Sequence, residues 1–253
     1  MRDIQEIAAM RDEVVRGLGD FVRGAGFTDV LVCSSGGMDS AMVASLAVDA
    51  LGLGRVHTLM MKTQHTSQLS VRLAKELAGN LKVEHEEICI QGAVGAMEAA
   101  LSFKPSRTIT MENVQARVRG VLAMTYSNEK GWMVLSCGNK SEAMQGYCTL
   151  YGDTCGSLMP IGDIFKTEVY QMAELYPQIP REIITRPASA ELSPGQRDTD
   201  ILPPYDVLDP ILRKIEKGQP LGDGALEQSV LARYKASQFK LAQCPPALKL
   251  KER

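Results

Sequence analysis

The sequence predicts an α/β protein built on a doubly wound parallel sheet. Three observations lead there. Short apolar runs of strand length recur at 30–33, 55–61, 83–90 and 131–136. Longer segments with helical spacing separate them, an alternation that builds parallel βαβ units. A Ser/Gly-rich turn, Ser34-Ser35-Gly36-Gly37-Met38-Asp39-Ser40, joins the first run to a helix-patterned stretch.

Each element follows from local pattern. Residues 4–24 alternate apolar and charged positions at helical spacing and end at Gly24-Ala25-Gly26, which suits a helix terminus. Val30-Leu31-Val32-Cys33 reads as a buried strand, followed by a helix over 39–51 that Gly52 closes. Arg55 to Met61 is a second strand, with a helix over 67–79 ending at Gly79-Asn80. Val83 to Ile90 is a third strand, and a helix covers about 91–102. Asn113 to Asn128 is strongly helical, and 131–136 is the fourth strand. Beyond residue 136 the chain is richer in loops, and Glu191 to Asp206 is expected to be irregular and to serve as a lid over the site. In such a sheet the ligand crevice lies at the carboxyl ends of the strands, so the loops after 33 and 136 are the ones to inspect.

Bulk composition excludes several classes. With 28 basic and 30 acidic side chains the net charge is −2, which gives no electrostatic case for nucleic-acid or membrane binding. The start Met1-Arg2-Asp3 has no apolar leader and no run reaches membrane-spanning length, so a cytoplasmic protein is expected. The 253 residues are expected to form one domain, with a core over about 26–190, the lid at about 191–206 and an extension over 207–253. Six cysteines, Cys33, Cys89, Cys137, Cys148, Cys155 and Cys244, show no C-x-x-C spacing and read as reduced thiols. Trp132, the methionines and His57 and His85 read as packing residues, and His65 as a surface loop residue.

The turn at 34–40 carries the chemistry. Strand, Gly-rich turn and helix start form an anion cradle, because glycines admit close approach and the helix N-terminus presents N–H groups and a positive dipole end. Ser34, Ser35 and Ser40 add hydroxyls. The loop holds no Lys of the Walker A kind; Asp39 stands there instead, and an acid beside a polyphosphate makes sense mainly as a Mg²⁺ ligand. That points to attack at the α-phosphate with pyrophosphate leaving into the cradle. After the fourth strand comes Cys137-Gly138-Asn139-Lys140-Ser141-Glu142, with Glu142 expected to begin a helix at the same sheet edge as Asp39, so that both could share one Mg²⁺. Glu142 alone also fits a first-turn residue complementing a helix dipole. Lys166 is a candidate positive charge over the α- or γ-phosphate.

The pattern S-G-G-x-D-S resembles the signature of the ATP pyrophosphatases. Glu112-Asn113-Val114-Gln115-Ala116-Arg117-Val118-Arg119, Gly138 to Glu142, Tyr147 to Asp153, Pro187 to Leu192 and Pro203 to Asp209 are similar to segments of NAD synthetases, and the similarity runs from about residue 30 to 246. The resemblance implies the Rossmann-like sheet of the adenine nucleotide alpha hydrolase type with a loop-rich helical C-terminal extension. It implies ATP-dependent amidation of nicotinic acid adenine dinucleotide (deamido-NAD) by ammonia through an acyl adenylate, giving NAD⁺, AMP and pyrophosphate. By the same resemblance Ser34, Ser35, Gly36, Gly37, Met38, Asp39, Ser40, Cys137, Lys166 and Ser189 would bind ATP. Asp39 and Glu142 would hold Mg²⁺, with Lys166 completing the catalytic set. Arg117, Asp153, Phe239 and Lys240 would bind the dinucleotide, partly across a homodimer interface. The leading 30 residues are too few for a glutaminase domain, so ammonia is expected free or from a separate glutaminase subunit.

Two positions depart from the pattern: Cys137 replaces Thr, and Gln64 replaces an Arg that contacts ATP in relatives. They motivate one alternative, a nucleotide-binding paralogue without turnover; the other alternative is another adenylating amidase or thiolase on the same cradle, acting on a different carboxylate or base. Asp39, Glu142 and Lys166 together argue against a mere binder.

Overall fold

The computed structural model describes residues 2–242. Helix α1 (Ile4–Gly24) starts at a capping box in which Asp3 and Glu6 reciprocally satisfy first-turn N–H groups. Strand β1 (Val30–Cys33) leads through the Ser/Gly turn into α2 (Met38–Leu51). Strand β2 (Val56–Lys62), α3 (Gln68–Leu81), β3 (Glu84–Cys89), α4 (Gln91–Ala99), α5 (Thr108–Lys130) and β4 (Met133–Leu135) follow. Then come α6 (Lys140–Gln145), α7 (Lys166–Ala173), α8 (Arg181–Thr185), α9 (Tyr205–Glu216) and α10 (Ala225–Ser237).

All strand pairs are parallel, in the order β3-β2-β1-β4, with Val30 opposite both Val56 and Met133. The expected doubly wound sheet is therefore present. Alternate strand residues feed two cores, as strand periodicity requires. Val30, Val32, Met133 and Leu135 join Ile7, Leu46, Leu73 and Val169 on the face covered by α1, α2, α3 and α7. Leu31, Leu59 and Val134 join Val94, Val118 and Ala123 on the face covered by α4 and α5. Helix α2 is apolar over most of its circumference because helices surround it, and burying Leu46 alone contributes about 2 kcal/mol. A third cluster, with Phe165, Leu208, Leu212 and Val230, docks α9 and α10 against α6 and α7. No helix among the described residues is long and apolar enough to cross a membrane.

Four expectations need correction. Helix α3 runs through Gly79-Asn80 to Leu81 and ends on Lys82 in a left-handed conformation (φ 55°), because Leu77 and Leu81 continue its buried stripe. Helix α5 begins at Thr108, five residues before Asn113, with Met111 packed against the core. Helix α6 begins at Lys140, not Glu142: Asn139 caps it and Glu142 is its third residue. The stretch 191–206 is not irregular throughout, since Asp198–Asp200 forms a 3-10 turn and α9 starts at Tyr205. Trp132 does pack, stacking on His57 with ring centroids 3.7 Å apart. Cys244 lies outside the described residues; the other five cysteines are free thiols.

Candidate active site

The cradle forms where β1 ends at the centre of the sheet. Ser34 N–H donates to the Leu59 carbonyl at 2.9 Å, which anchors the turn to β2. Gly36 adopts φ 76°, and a Cβ there would collide with the Ser70 carbonyl, so the position requires glycine. Gly37 caps α2 and donates to Ser35 Oγ at 3.2 Å, while Ser40 Oγ donates to the Gly37 carbonyl at 3.2 Å. Ser34 Oγ is buried and has no hydrogen-bond partner, an orphan hydroxyl at the cavity wall.

Three helix starts bring the charged groups together. Asp39 occupies the first turn of α2, Glu142 that of α6, and Lys166 that of α7. Lys166, 2 % exposed, places its Nζ against Asp39 Oδ2 and 3.5 Å from Glu142 Oε1. Asn139 Nδ2 donates to the other Asp39 oxygen at 3.1 Å and caps the helix that carries Glu142. Burial opposes the Lys166 ammonium, yet the two carboxylates outweigh it and raise its pKa, so it is charged. Burial and the Asp39 charge hold the Glu142 carboxyl above the usual carboxylate range, only partly offset by Lys166.

One ammonium thus serves two part-buried carboxyl groups, and Glu142, held above the usual range, ionises fully only when further positive charge arrives. A hard divalent cation supplies such charge. No three His, Cys, Asp or Glu side chains converge as a metal cage among the described residues. Mg²⁺ does not need one, because it takes one or two carboxylates and fills its sphere with water and phosphate oxygens.

A cavity of about 450 Å³ opens around these groups. Ser34, Ser35, Gly37, Met38, Asp39, Ser40, Cys137, Glu142, Lys166 and Ser189 line it, as do Asp153 and Lys240. Gly36 supports the wall from behind, through its approach to Ser70. Asp153 accepts from Thr149 N–H at 2.6 Å, and its pKa is raised by burial. Lys240 reaches the Gly146 and Cys148 carbonyls at 2.8 and 2.9 Å. Arg117 instead donates to the Leu150 carbonyl at 3.2 Å and does not line the cavity; Phe239 is exposed and also outside it. The Cys137 thiol is pushed well above its ordinary pKa, chiefly by burial, so it lines the wall as neutral S–H.

Sequence reasoning assigned no role to several groups at this site. Asn139 and Asp209 lay within quoted motifs, but their contacts span 42 to 100 residues of chain and are invisible to local pattern. Asp198 faces the cavity and accepts from Tyr147 Oη at 3.1 Å and Tyr205 Oη at 2.8 Å, closing the floor beneath Lys166. Arg186 and Glu191 form an ion pair at 2.8 Å beside the cradle.

Comparison with known proteins places this arrangement. The profile of the NAD synthase family matches residues 10–244. The chain belongs to the NAD synthase family. It is 41 % identical over 243 residues to the glutamine-dependent NAD(+) synthetase of Rhodobacter capsulatus, covering 90 % of this chain and 43 % of that protein. The chain therefore spans less than half the length of this relative. Among solved structures it superposes on the NMN synthetase of Francisella tularensis with TM-score 0.85 and 27 % identity, covering 100 % of both chains. The NH3-dependent NAD synthetase of Campylobacter jejuni matches with TM-score 0.82 and 26 % identity, covering 98 % of this chain and 100 % of that one. Membership accounts for the shared fold.

Proposed function

We propose that this NAD synthase family member catalyses ATP-dependent amidation of deamido-NAD by ammonia, yielding NAD⁺, AMP and pyrophosphate. The observation that carries the reading is Lys166, buried between Asp39 and Glu142 at the mouth of the Ser/Gly cradle. A carboxylate oxygen of the substrate attacks the α-phosphorus, the bond to the β-phosphate oxygen breaks, and pyrophosphate leaves toward the cradle. Ammonia then adds to the acyl carbonyl, AMP departs and a proton is lost to solvent. Adenylation is needed because a free carboxylate offers no competent leaving group. Asp39 and Glu142 would hold Mg²⁺, which supplies neutralisation of charge on the transferring phosphate. Lys166 stabilises the same charge from a fixed, water-poor position, and the unpartnered Ser34 hydroxyl offers a donor to ATP oxygens, while Ser35, Ser40 and Ser189 would exchange their present hydrogen bonds for ATP oxygens. Asp153 and Lys240 line the cavity where the dinucleotide would lie; Arg117 and Phe239 would act only across a subunit boundary.

The chain is proposed to work in the cytoplasm as one unit, with its lid near 191–206, and as a homodimer. Val121, Met124 and Ile109 on α5 and Met97 on α4 are exposed apolar side chains that a second copy would cover. Ammonia as nitrogen donor is supported by the likeness to the Campylobacter jejuni enzyme; a separate glutaminase is the other source. The likeness to the Francisella tularensis enzyme favours one second reading, amidation of the mononucleotide, nicotinic acid mononucleotide.

The test supplies the protein with ATP, Mg²⁺, deamido-NAD or nicotinic acid mononucleotide, and ammonium or glutamine, and follows AMP and amide product. NAD⁺ with deamido-NAD and ammonium supports the first reading; product from the mononucleotide alone supports the second. AMP with neither substrate would redirect attention to another carboxylate, and no nucleotide consumption at all to a binding paralogue.

A further inference from the structure

Besides Lys166, Arg186 is the cavity-lining cation that bonds the cradle among the described residues. Its Nη1 donates to Ser70 Oγ at 2.8 Å and to the Gly36 carbonyl at 3.5 Å. Lys166 is already committed to two carboxylates, whereas a triphosphate brings several negative charges to the same cradle. The other lining cations turn elsewhere. Arg119 bonds the Met61 carbonyl, Arg233 the Gln145 carbonyl, and Lys240 the carbonyls of Gly146 and Cys148.

The guanidinium of Arg186 is engaged by an anion from this same chain. Glu191 Oε1 accepts from Arg186 Nη2 at 2.8 Å, from Ser70 Oγ at 2.7 Å and from Ser67 Oγ at 2.9 Å. Its second oxygen accepts from Ser67 N–H at 3.3 Å. A guanidinium, two hydroxyls and a backbone N–H form a donor set that a phosphate group accepts as readily as a carboxylate. Glu191 reaches it from a left-handed backbone, φ 47°, an unfavourable conformation for a residue with a Cβ. The loop is braced there by Glu191 N–H on Ser189 Oγ at 3.1 Å.

We propose that Arg186 is a phosphate-binding residue of the nucleotide site and that Glu191 is its intramolecular competitor. Bound nucleotide takes Arg186, Ser67 and Ser70 from the Glu191 carboxylate, and the 187–196 loop rearranges as that carboxylate withdraws. This inference rests on the proposed ATP-dependent function but not on the identity of the second substrate.

The discriminating experiment is calorimetric titration of the full chain with Mg·ATP, for wild type, Arg186→Gln, Arg186→Lys and Glu191→Gln. The competitor assignment requires opposite signs. Arg186→Gln weakens binding by roughly tenfold or more, the scale of a charge-assisted hydrogen bond. Arg186→Lys recovers part of that loss. Glu191→Gln tightens binding by up to roughly fivefold, because less of the site is self-occupied. If the pair were only a brace for the loop, both Gln variants would shift affinity in the same direction, and that result overturns the proposal. Unchanged affinity in Arg186→Gln overturns it too. Wild-type protein that fails to bind Mg·ATP removes the functional reading and this inference together. Should Arg186→Gln not fold, the sign of Glu191→Gln and the retention of binding in Arg186→Lys decide the matter.

Discussion

Ser141 Oγ donates to Asp209 Oδ1 at 2.6 Å, joining the first turn of α6 to the middle of α9 in the interior of the protein. The second Asp209 oxygen accepts from Thr167 N–H at 2.9 Å and Thr167 Oγ1 at 2.7 Å. Ser141 Oγ in turn accepts from Lys166 N–H at 2.9 Å. One carboxylate, 1 % exposed, thereby ties together the two helix starts that carry Glu142 and Lys166.

Removing that carboxylate leaves buried donors unmatched. Asp209→Ala is expected to lower stability by about 3 kcal/mol in denaturant titrations. Equal stability of the variant and wild type would show that water replaces the carboxylate without loss.

Lys166→Met removes the ammonium and leaves the part-buried Asp39 and Glu142 without it. AMP release is expected to fall at least about 100-fold, the scale of losing one preorganised stabiliser of transition-state charge. Added Mg²⁺ should raise the thermal midpoint of this variant more than that of wild type, since the two carboxylates lose the ammonium that pairs with both. A variant with turnover near wild type would remove Lys166 from the catalytic set.

Chelation of divalent cations is expected to stop AMP formation while leaving the far-ultraviolet circular dichroism unchanged, and Mg²⁺ should restore it. The sheet and its two cores owe nothing to the Asp39–Glu142 pair. Turnover that persists in excess chelator would dismiss the metal assignment.

Acid sensitivity should trace to Glu168. Burial tends to raise its carboxyl pKa, but hydrogen bonds and charge from Arg213 and Arg2 prevail and hold it below the ordinary 4.5. A depressed folded-state pKa adds stability that is fully present above the unfolded value and lost as pH falls through the folded one. Glu168→Gln should therefore be less stable than wild type near neutrality, and the difference should shrink below about pH 4.5. A gap that stays constant across that range would assign the effect to packing alone.

The four strands and the helices between them were legible in the sequence because each depends on short-range pattern. Apolar runs of strand length, helical spacing and the Ser/Gly turn all act within a few residues. Boundaries slipped where tertiary contact overrode the local stop signal, as at Gly79-Asn80, where Leu81 extends a buried stripe. The stretch 191–206 looked structureless for a related reason: the turn at Asp198 exists to meet Tyr147 and Tyr205, which lie 51 residues before it and seven after.

The site divides along the same line. Sequence alone determined the doubly wound class and the Ser/Gly turn at 34–40, because strand, turn and helix start are adjacent in the chain, and it marked Asp39, Glu142 and Lys166 as candidates. Only the tertiary structure decided how those charges meet. Lys166 pairs with Asp39 across 127 residues of chain, Asp209 sets the helices that carry Lys166 and Glu142, and Glu191 occupies Arg186 beside the cradle. Coulomb and hydrogen-bond energies depend on distance and burial, and neither quantity exists until the sheet has brought its loop ends together.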